Sequence, residues 1–269
     1  MKYLLAVPIL LLTAAGIYSL PTEQQINEPL ALYLTPDRKT YGKSATQVGG
    51  SSSKRVYVIE ARKWISQRSV NSLLQSAKGL NGVIFYNWRK IKDITASAPG
   101  MDDRHHLVNS YLVGYSPFST NNIFIPWQTL AQKKKYQLDH VFSKGKEEVW
   151  QNSREAYTFN RGDCEDHAIA LADWLIDMGH DARVVIGNYK GSGHAWVVLL
   201  KKNQTFLLEA TRKKRLKRMR SFPIAKLQTG YQPEYMFNRT QFWKNTGSVN
   251  TANYSSSAWV KKSKYRRSS

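Results

Sequence analysis

Residues 160–167 read NRGDCEDH, and they mark the place where a break in the chain gives way to a helix. Residues 164–178 carry apolar side chains at helical spacing, and Gly179 supplies the stop. Asp163 suits an N-cap, which puts Cys164, the one cysteine of the chain, in the first helical turn. The unpaired backbone N–H groups of that turn stabilise a thiolate and can receive a developing oxyanion.

The segments after this helix alternate as strands do. Residues 182–186, 194–200 and 205–211 read as strands, and residues 201–204 join the last two. His194 follows a glycine-containing entry and opens an apolar strand, so a rigid element can present its imidazole at a strand end. We therefore expect His194 to be the base that a cysteine nucleophile requires.

The turn between the last two strands predicts a partner for this histidine. If Lys202 and Asn203 form the turn, paired residues have numbers that sum to 405, and His194 lies opposite Thr211. Glu209 is then a diagonal neighbour of His194 on the same face, roughly 7–8 Å away at Cβ. A glutamate bridges that gap, whereas a one-residue bulge would turn it to the other face.

Each of these residues also has an ordinary structural explanation. A lone cysteine can be a buried, inert side chain, and a glutamate on a strand can be a solvated acid. Trp150, which precedes the helix, is either an aromatic of the core or a residue that shapes the site. The spacing alone leaves these alternatives open.

Taken together, the motifs resemble the transglutaminase-like superfamily of papain-like folds. The matching segments are Gly162–Cys164, His194–Trp196 and Glu209–Thr211, in the same order along the chain. Residues 150–155 and 162–166 resemble most closely the bacterial transglutaminase-like cysteine proteinases. The chain departs from them at Ser153, where they have proline, and at Glu209, where the superfamily usually has aspartate.

The resemblance implies an α+β papain-like fold, in which a helix bearing the cysteine packs on an antiparallel sheet bearing the histidine and the acid. It implies a Cys164–His194–Glu209 triad that forms a thioester acyl-enzyme, with Trp150 as an oxyanion or site-shaping residue. The expected activity is cleavage of an envelope or surface protein. The alternatives are a transamidase or deamidase on the same fold, and a non-catalytic module that binds polyanions or the cell wall.

Acids crowd the cysteine and raise the question of a metal. Like charges disfavour a thiolate, and a cation would neutralise them; oxygen ligands suit calcium. The resembling proteinases bind calcium through acids that flank the cysteine, which implies Asp163 and Glu165 as calcium ligands here. The bland explanation is that both acids complement the helix dipole. The acyl transfer itself requires no cofactor, and no cysteine and histidine spacing suggests zinc.

Composition sets the domain organisation. Residues 3–20 form an uncharged apolar run typical of a signal peptide or a membrane anchor, so we expect an exported protein, periplasmic or anchored to the inner membrane. Residues 56–145 should add mostly helices. The predicted divisions are a signal or anchor at 1–20, a flexible linker at 21–55, a transglutaminase-like domain at 56–245 with its motif core at 147–211, and a basic disordered tail at 246–269.

The charge of the chain bears on its partners. The formal net charge is +21, and residues 212–220 hold seven Lys or Arg. Such a run is either a solvated loop or a contact for an anionic membrane or cell-wall polymer. Nucleic acid is not expected as a partner, because the chain should be exported and carries none of the common nucleic-acid motifs.

Overall fold

A computed structural model describes residues 31–32, 54–143, 146–202, 204–211 and 222–267. The predicted signal or anchor at 1–20, most of the linker and the basic run at 212–220 lie outside the described residues. Within those ranges, no helix has the length and apolar character needed to cross a bilayer.

The described chain is a mixture of short helices and many strands. The helices are α1 (Gln67–Ser76), α2 (Phe124–Lys133), α3 (Asp139–Phe142), α4 (Ser153–Thr158) and α5 (Cys164–Asp177). The strands are β1 (Ala31–Leu32), β2 (Lys54–Val58), β3 (Lys63–Ile65), β4 (Ile84–Trp88), β5 (Ile91–Pro99), β6 (His105–Leu107), β7 (Lys135–Tyr136), β8 (Arg161–Gly162), β9 (Asp181–Tyr189), β10 (Ser192–Lys201), β11 (Gln204–Leu208), β12 (Tyr231–Phe237), β13 (Gln241–Asn245) and β14 (Trp259–Arg267).

An antiparallel sheet forms the centre of the fold. Its eight strands lie in the order β11-β10-β9-β12-β13-β14-β2-β3, and a second sheet has the order β1-β4-β5-β6. Helix α5 packs on β9 and β10 of the large sheet. The α+β class is therefore confirmed, with the cysteine helix resting on the antiparallel strands that carry His194.

The core explains why α5 lies where it does. The apolar face of the helix includes Ala168, Leu171 and Leu175, which share one cluster with Val184 and Val197 of the sheet. Alternate strand residues point to the opposite face, where a second cluster forms around Trp196 and Trp243. Burial on both faces makes this half of the sheet rigid, so the first residue of α5 is held at a fixed place above β10.

Two expectations about organisation are wrong. Residues 56–145 were expected to be mostly helical, but they contain β3 to β7 and most of β2 besides helices α1 to α3, so strand and helix contribute about equally. The tail predicted to be disordered contains β14, which pairs with both β13 and β2. In β14 the side chains of Ser263 and Tyr265 are buried, whereas Lys264 and Arg266 face solvent. Its basic composition reflects one exposed face of an interior strand.

Candidate active site

The thiol lies where the sequence places it, at the first residue of α5. Asp163 occupies the N-cap position, but its side chain makes no capping hydrogen bond. Its backbone carbonyl instead accepts hydrogen bonds from the backbone N–H and the Nδ1 of His167, at 3.2 and 2.6 Å. The Cys164 side chain is partly buried and donates to Glu165 Oε2 at 3.4 Å. The Asp163 carboxylate thus remains available for another role.

The predicted register of the two strands after the helix is confirmed. Val197 pairs with Leu208 and Lys201 with Gln204, so paired numbers sum to 405. This register brings His194 Nε2 to 2.8 Å from Glu209 Oε2. The backbone N–H of Ala195 is close enough to the Cys164 thiol to lower its pKa, so β10 passes beside the sulfur. His194 and Glu209 are therefore directly paired, and the Cys164 thiol lies beside the residue that follows His194 on β10.

Glu209 is held by hydrogen bonds to its side chain and to its backbone. Oε1 accepts from the backbone N–H and the Oγ1 of Thr211, at 3.1 and 2.7 Å. Oε2 accepts from Tyr231 Oη at 3.0 Å as well as from His194. The backbone carbonyl accepts from Trp127 Nε1 at 3.0 Å. Burial alone would raise the pKa of Glu209, but its hydrogen bonds to His194 and Thr211 hold it below the usual value.

Trp150 does not reach the thiol as an oxyanion donor. The side chain is 2% exposed and packs against Tyr111 and Phe237 in the core. Its indole Nε1 donates to Glu148 Oε1 at 2.5 Å, so the one N–H of the ring is already used. The structure supports the core explanation for Trp150.

Four carboxyls meet beside the thiol. Asp139, Asp163, Glu165 and Asp166 each offer one oxygen, and these oxygens all lie within 4.8 Å of one another. One carboxylate oxygen of each residue is buried without a hydrogen-bond partner among the described residues. Buried polar atoms are nearly always paired, so four unpaired oxygens in one place require a physical explanation. We call this group the acidic cluster.

Burial and mutual repulsion dominate the acidic cluster. Burial raises the pKa of Asp139 to about 10, with repulsion from Asp163 and Asp166 adding to the effect. Burial likewise raises the pKa of Glu165 and Asp166 well above the usual range. The pKa of Asp163 is raised as well, again chiefly by burial. Burial therefore favours the protonated form of each of these carboxyls.

One buried cation lies nearby. Lys134 is 1% exposed, and its Nζ donates to the carbonyls of Ala156 and Arg161 at 3.0 and 2.8 Å. Its charge lowers the pKa of Asp166, but burial outweighs it. Glu148, close enough to add its own repulsion, has its pKa raised by burial to about 8. A single lysine does not balance this many acids.

The acids also act on the nucleophile. Burial raises the pKa of the Cys164 thiol well above its usual value, and the charge of Asp163 raises it further. The backbone N–H of Ala195 opposes this effect without cancelling it. An activated cysteine has a lowered pKa. In this structure, burial and the charge of Asp163 both disfavour the thiolate.

The donor set fits a hard divalent cation. Calcium binds carboxylate oxygens in flexible geometry, and every member of the acidic cluster can supply one. Asp163 and Glu165, the two residues implied by the resemblance, both belong to the cluster. Asp139 joins it from α3 although it lies more than twenty positions before the cysteine in the chain.

Several residues of the site were missed in the sequence. Asp166 stands in the quoted motif but was not predicted to be a metal ligand, and Thr211 was used for the register and the resemblance but not as a donor to Glu209. Asp139, Trp127 and Tyr231 arrive from separate elements, and nothing local marks them. Only their contacts in the folded chain identify them.

Comparisons with known proteins find relatives of the part of the chain that contains the candidate site. Residues 148–267 match the model of the CEP76 peptidase-like domain. The centrosomal protein of 76 kDa from Mus musculus is 44% identical over 55 residues, which are 20% of this chain and 8% of that protein. Its Danio rerio counterpart is 24% identical over 196 residues, 68% of this chain and 26% of that protein.

These relatives correct the expected location. The prediction of an exported protein, periplasmic or anchored by residues 3–20, is wrong, because the curated relatives are centrosomal proteins. The predicted partners, an envelope or surface protein and an anionic membrane or cell-wall polymer, stay predictions.

A solved structure is similar in fold. Calcium-bound LapG of Legionella pneumophila superimposes with a TM-score of 0.38 and 16% identity, over 56% of this chain and 81% of that one.

Proposed function

We propose that this chain is a cysteine hydrolase that cleaves an amide bond in a protein substrate, with Cys164, His194 and Glu209 as its catalytic triad. The supporting observation is the meeting of three elements. A thiol at the start of α5 touches the backbone of β10, and the neighbouring imidazole on β10 is hydrogen-bonded at 2.8 Å to a largely buried carboxylate. This is the arrangement that nucleophilic catalysis by cysteine requires.

In the first half of the proposed reaction, His194 takes the thiol proton and the Cys164 sulfur attacks the carbonyl carbon. Backbone N–H groups in the first turn of α5 face the oxyanion that develops. His194 then gives the proton to the leaving amine as the C–N bond breaks, which leaves a thioester on the sulfur. In the second half, His194 removes a proton from water, the hydroxide attacks the thioester, and the acid leaves as the thiol re-forms.

Glu209 acts on His194 throughout. Its ionised Oε2 accepts a hydrogen bond from the Nε2–H of the imidazole. This bond fixes the ring so that Nδ1 is the nitrogen that exchanges protons with the thiol. The carboxylate also stabilises the imidazolium that forms. The lowered pKa of Glu209 keeps its carboxylate ionised at neutral pH, so it accepts these hydrogen bonds as an anion.

We further propose that the acidic cluster holds calcium. Asp139, Asp163, Glu165 and Asp166 would bind the ion, and its positive charge would lower the pKa of the adjacent thiol. Glu165 would then be a ligand in place of its present role as acceptor for the Cys164 thiol. The thiol proton would be left to the imidazole.

Thiol alkylation tests the triad. The rate of iodoacetamide labelling of Cys164 should be followed against pH in the parent chain and in His194→Ala, with calcium and with chelator. We expect labelling in calcium at neutral pH to fall about tenfold or more in the variant. Slow labelling that is indifferent to His194 and to calcium would refute the proposal. Incorporation of a labelled amine into a glutamine-rich protein would identify transamidation as the second half-reaction.

Calcium binding has its own test. Terbium luminescence, with calcium as competitor, should be compared in the parent, in Glu165→Gln and in Glu234→Gln. Glu234 is a matched control, since it is a partly buried acid on β12 that contacts Asn188 at 3.0 Å. We expect Glu165→Gln to weaken calcium binding about 100-fold, near the upper effect of altering one part of a metal site. Equal affinity in all three proteins would exclude the acidic cluster as the site.

A second candidate function is supported by the raised pKa of the thiol together with the net charge of +21. These features suit a non-catalytic module that binds a polyanion. Binding of heparin that persists in Cys164→Ala and weakens steeply with salt, in a parent whose thiol is unreactive, would favour this alternative.

A further inference from the structure

Tyr231 shares an oxygen with the imidazole. It is the first residue of β12, and its Oη donates to Glu209 Oε2 at 3.0 Å, the same atom that accepts from His194 Nε2 at 2.8 Å. The other oxygen, Oε1, receives both of its hydrogen bonds from Thr211. Oε2 therefore has a second donor in addition to the imidazole, and Oε1 is held by donors other than the imidazole.

The tyrosine ring is fixed by its neighbours. It lies against Tyr189 with ring centroids 4.4 Å apart and meets Trp196 edge-on at 5.0 Å. The same two rings border the imidazole of His194, at 5.7 and 6.1 Å. The pairing of Tyr231 with Tyr189 across β12 and β9 sets this arrangement in the backbone. The hydroxyl is thus held toward Glu209 by packing that does not depend on the hydrogen bond.

A glutamate at this position needs such support. Its side chain has one more rotatable bond than aspartate, and each immobilised torsion costs conformational entropy. Thr211 fixes one oxygen through residues only two positions away in the chain. Without Tyr231, the other oxygen would have His194 as its single donor, and the imidazole would have to position its own partner.

We propose that Tyr231 is a positioning residue, which holds Glu209 so that Glu209 orients His194. The role rests on the proposed function, since orientation of His194 matters only if His194 serves Cys164. Tyr231 contacts neither the thiol nor the reacting carbonyl in this scheme. Its hydroxyl acts through Glu209, whereas its ring contributes packing, and the two contributions can be separated.

The experiment compares the 269-residue chain with Tyr231→Phe and Tyr254→Phe. Tyr254 is the control, because it also has a buried hydroxyl, which accepts from Trp196 Nε1 at 3.2 Å and does not touch Glu209. The titration of the His194 imidazole is followed by NMR, with its resonance assigned from His194→Ala. Iodoacetamide labelling of Cys164 in calcium and thermal unfolding are measured on the same samples.

We expect Tyr231→Phe to move the His194 midpoint to lower pH by about half a unit, a threefold loss of proton affinity, because a loosened carboxylate stabilises the imidazolium less. Labelling at neutral pH should fall about three- to tenfold, the value of one hydrogen bond. Tyr254→Phe should lower thermal stability while leaving the His194 midpoint in place.

Two failures are distinguishable. A His194 midpoint that stays the same or rises in Tyr231→Phe would overturn the positioning role, even if labelling of the parent depends on His194. Labelling of the parent that ignores His194 would overturn the proposed function instead. A fall in thermal stability alone, without a change at His194, would assign Tyr231 to packing.

Discussion

Glu209 and the acidic cluster are both carboxyl groups in the interior of one site, yet their chemistry is opposite. Glu209 accepts hydrogen bonds on both oxygens, and its pKa lies below the usual value. The members of the acidic cluster each keep a buried oxygen without a partner among the described residues, and their pKa values are raised. Burial is common to both, so burial does not account for the difference.

What differs is the supply of donors. Glu209 accepts hydrogen bonds from Tyr231, Thr211 and His194, and these bonds stabilise its ionised form. Around the acidic cluster, repulsion comes from other carboxyls. The charge of Lys134 lowers the pKa of Asp163 and Asp166, and the charge of His194 lowers the pKa of Asp163, but burial outweighs both. Hydrogen-bond donors stabilise the ionised form of Glu209, whereas each carboxyl of the acidic cluster has an oxygen that no described donor reaches.

The largest expected effect follows from the sign of these pKa shifts. A carboxyl whose pKa is raised on folding stabilises the protein below its unfolded pKa near 4, and that stability is lost as pH rises through the folded pKa. The window extends to about 8 for Glu148 and about 10 for Asp139. In chelator, the free energy of unfolding should fall by about 1.4 kcal/mol per pH unit for each group that titrates.

Thermal melts between mildly acidic and mildly alkaline pH test this. Calcium should flatten the profile, because the bound ion favours the ionised carboxyls. Asp139→Asn should flatten it in chelator, whereas Asp177→Asn should not, since Asp177 is paired with Arg239 at 3.0 Å and its pKa is lowered. Stability that rises with pH in chelator would show that the acidic cluster is already compensated.

The same contrast explains what the sequence could predict. Cys164, His194 and Glu209 lie within two local patterns, a helix start and a hairpin, and the sum of 405 followed from one turn. Local patterns carry their own geometry, so the position of Cys164 at a helix start and the contact between His194 and Glu209 could be inferred. Asp139 and Tyr231 come from elements that are close only after folding. No spacing rule connects them with the cysteine.

Strand β14 shows a second limit. Its composition of lysine, arginine and serine is typical of disorder, yet Ser263 and Tyr265 face the core between two strands. The period-two alternation was present in the sequence, but one of its two partners, β2, comes from the N-terminal part of the chain. Strand pairing over that separation cannot be read from a window of neighbouring residues.

A smaller effect is expected at the glycine that precedes Asp163. Gly162 has a φ of +153°, and a Cβ there would lie 2.8 Å from both Asp166 Cγ and Lys134 Nζ. Gly162→Ala should therefore push apart the acidic cluster and its lysine, at a cost of about 3 kcal/mol in stability. Gly191→Ala is the control, because its φ is +85° and no described atom lies within 4 Å of an added Cβ.

The control separates strain from crowding. Gly191→Ala should lower the free energy of unfolding by about 1–2 kcal/mol, because alanine is strained in the left-handed conformation even where no atom clashes with its Cβ. Chemical denaturation of both variants, with calcium and with chelator, gives the comparison. Equal costs would mean that Asp166 and Lys134 move aside freely, and the acidic cluster would then be less rigid than its burial suggests.

The smallest expected effect concerns the donors of Glu209. Thr211→Val keeps the backbone N–H that donates to Oε1 but removes the hydroxyl donor at 2.7 Å. Glu209 then has fewer hydrogen-bond donors, as the carboxyls of the acidic cluster do. Its pKa should rise toward the usual value, and stability at neutral pH should fall by about 1 kcal/mol. The sign follows from linkage: a lowered folded pKa stabilises the protein above the unfolded pKa, and this contribution is lost as pH falls.

Carbon-13 NMR of the glutamate side-chain carboxyls measures the pKa directly, with Glu209 assigned from Glu209→Gln. Thr211→Ser restores a hydroxyl without the methyl group and should restore the lowered pKa. If Thr211→Val leaves the pKa unchanged, the donors from Tyr231 and His194 are sufficient alone. The contrast between the two carboxyl groups would then depend on Oε2, and the number of donors would matter less than their placement.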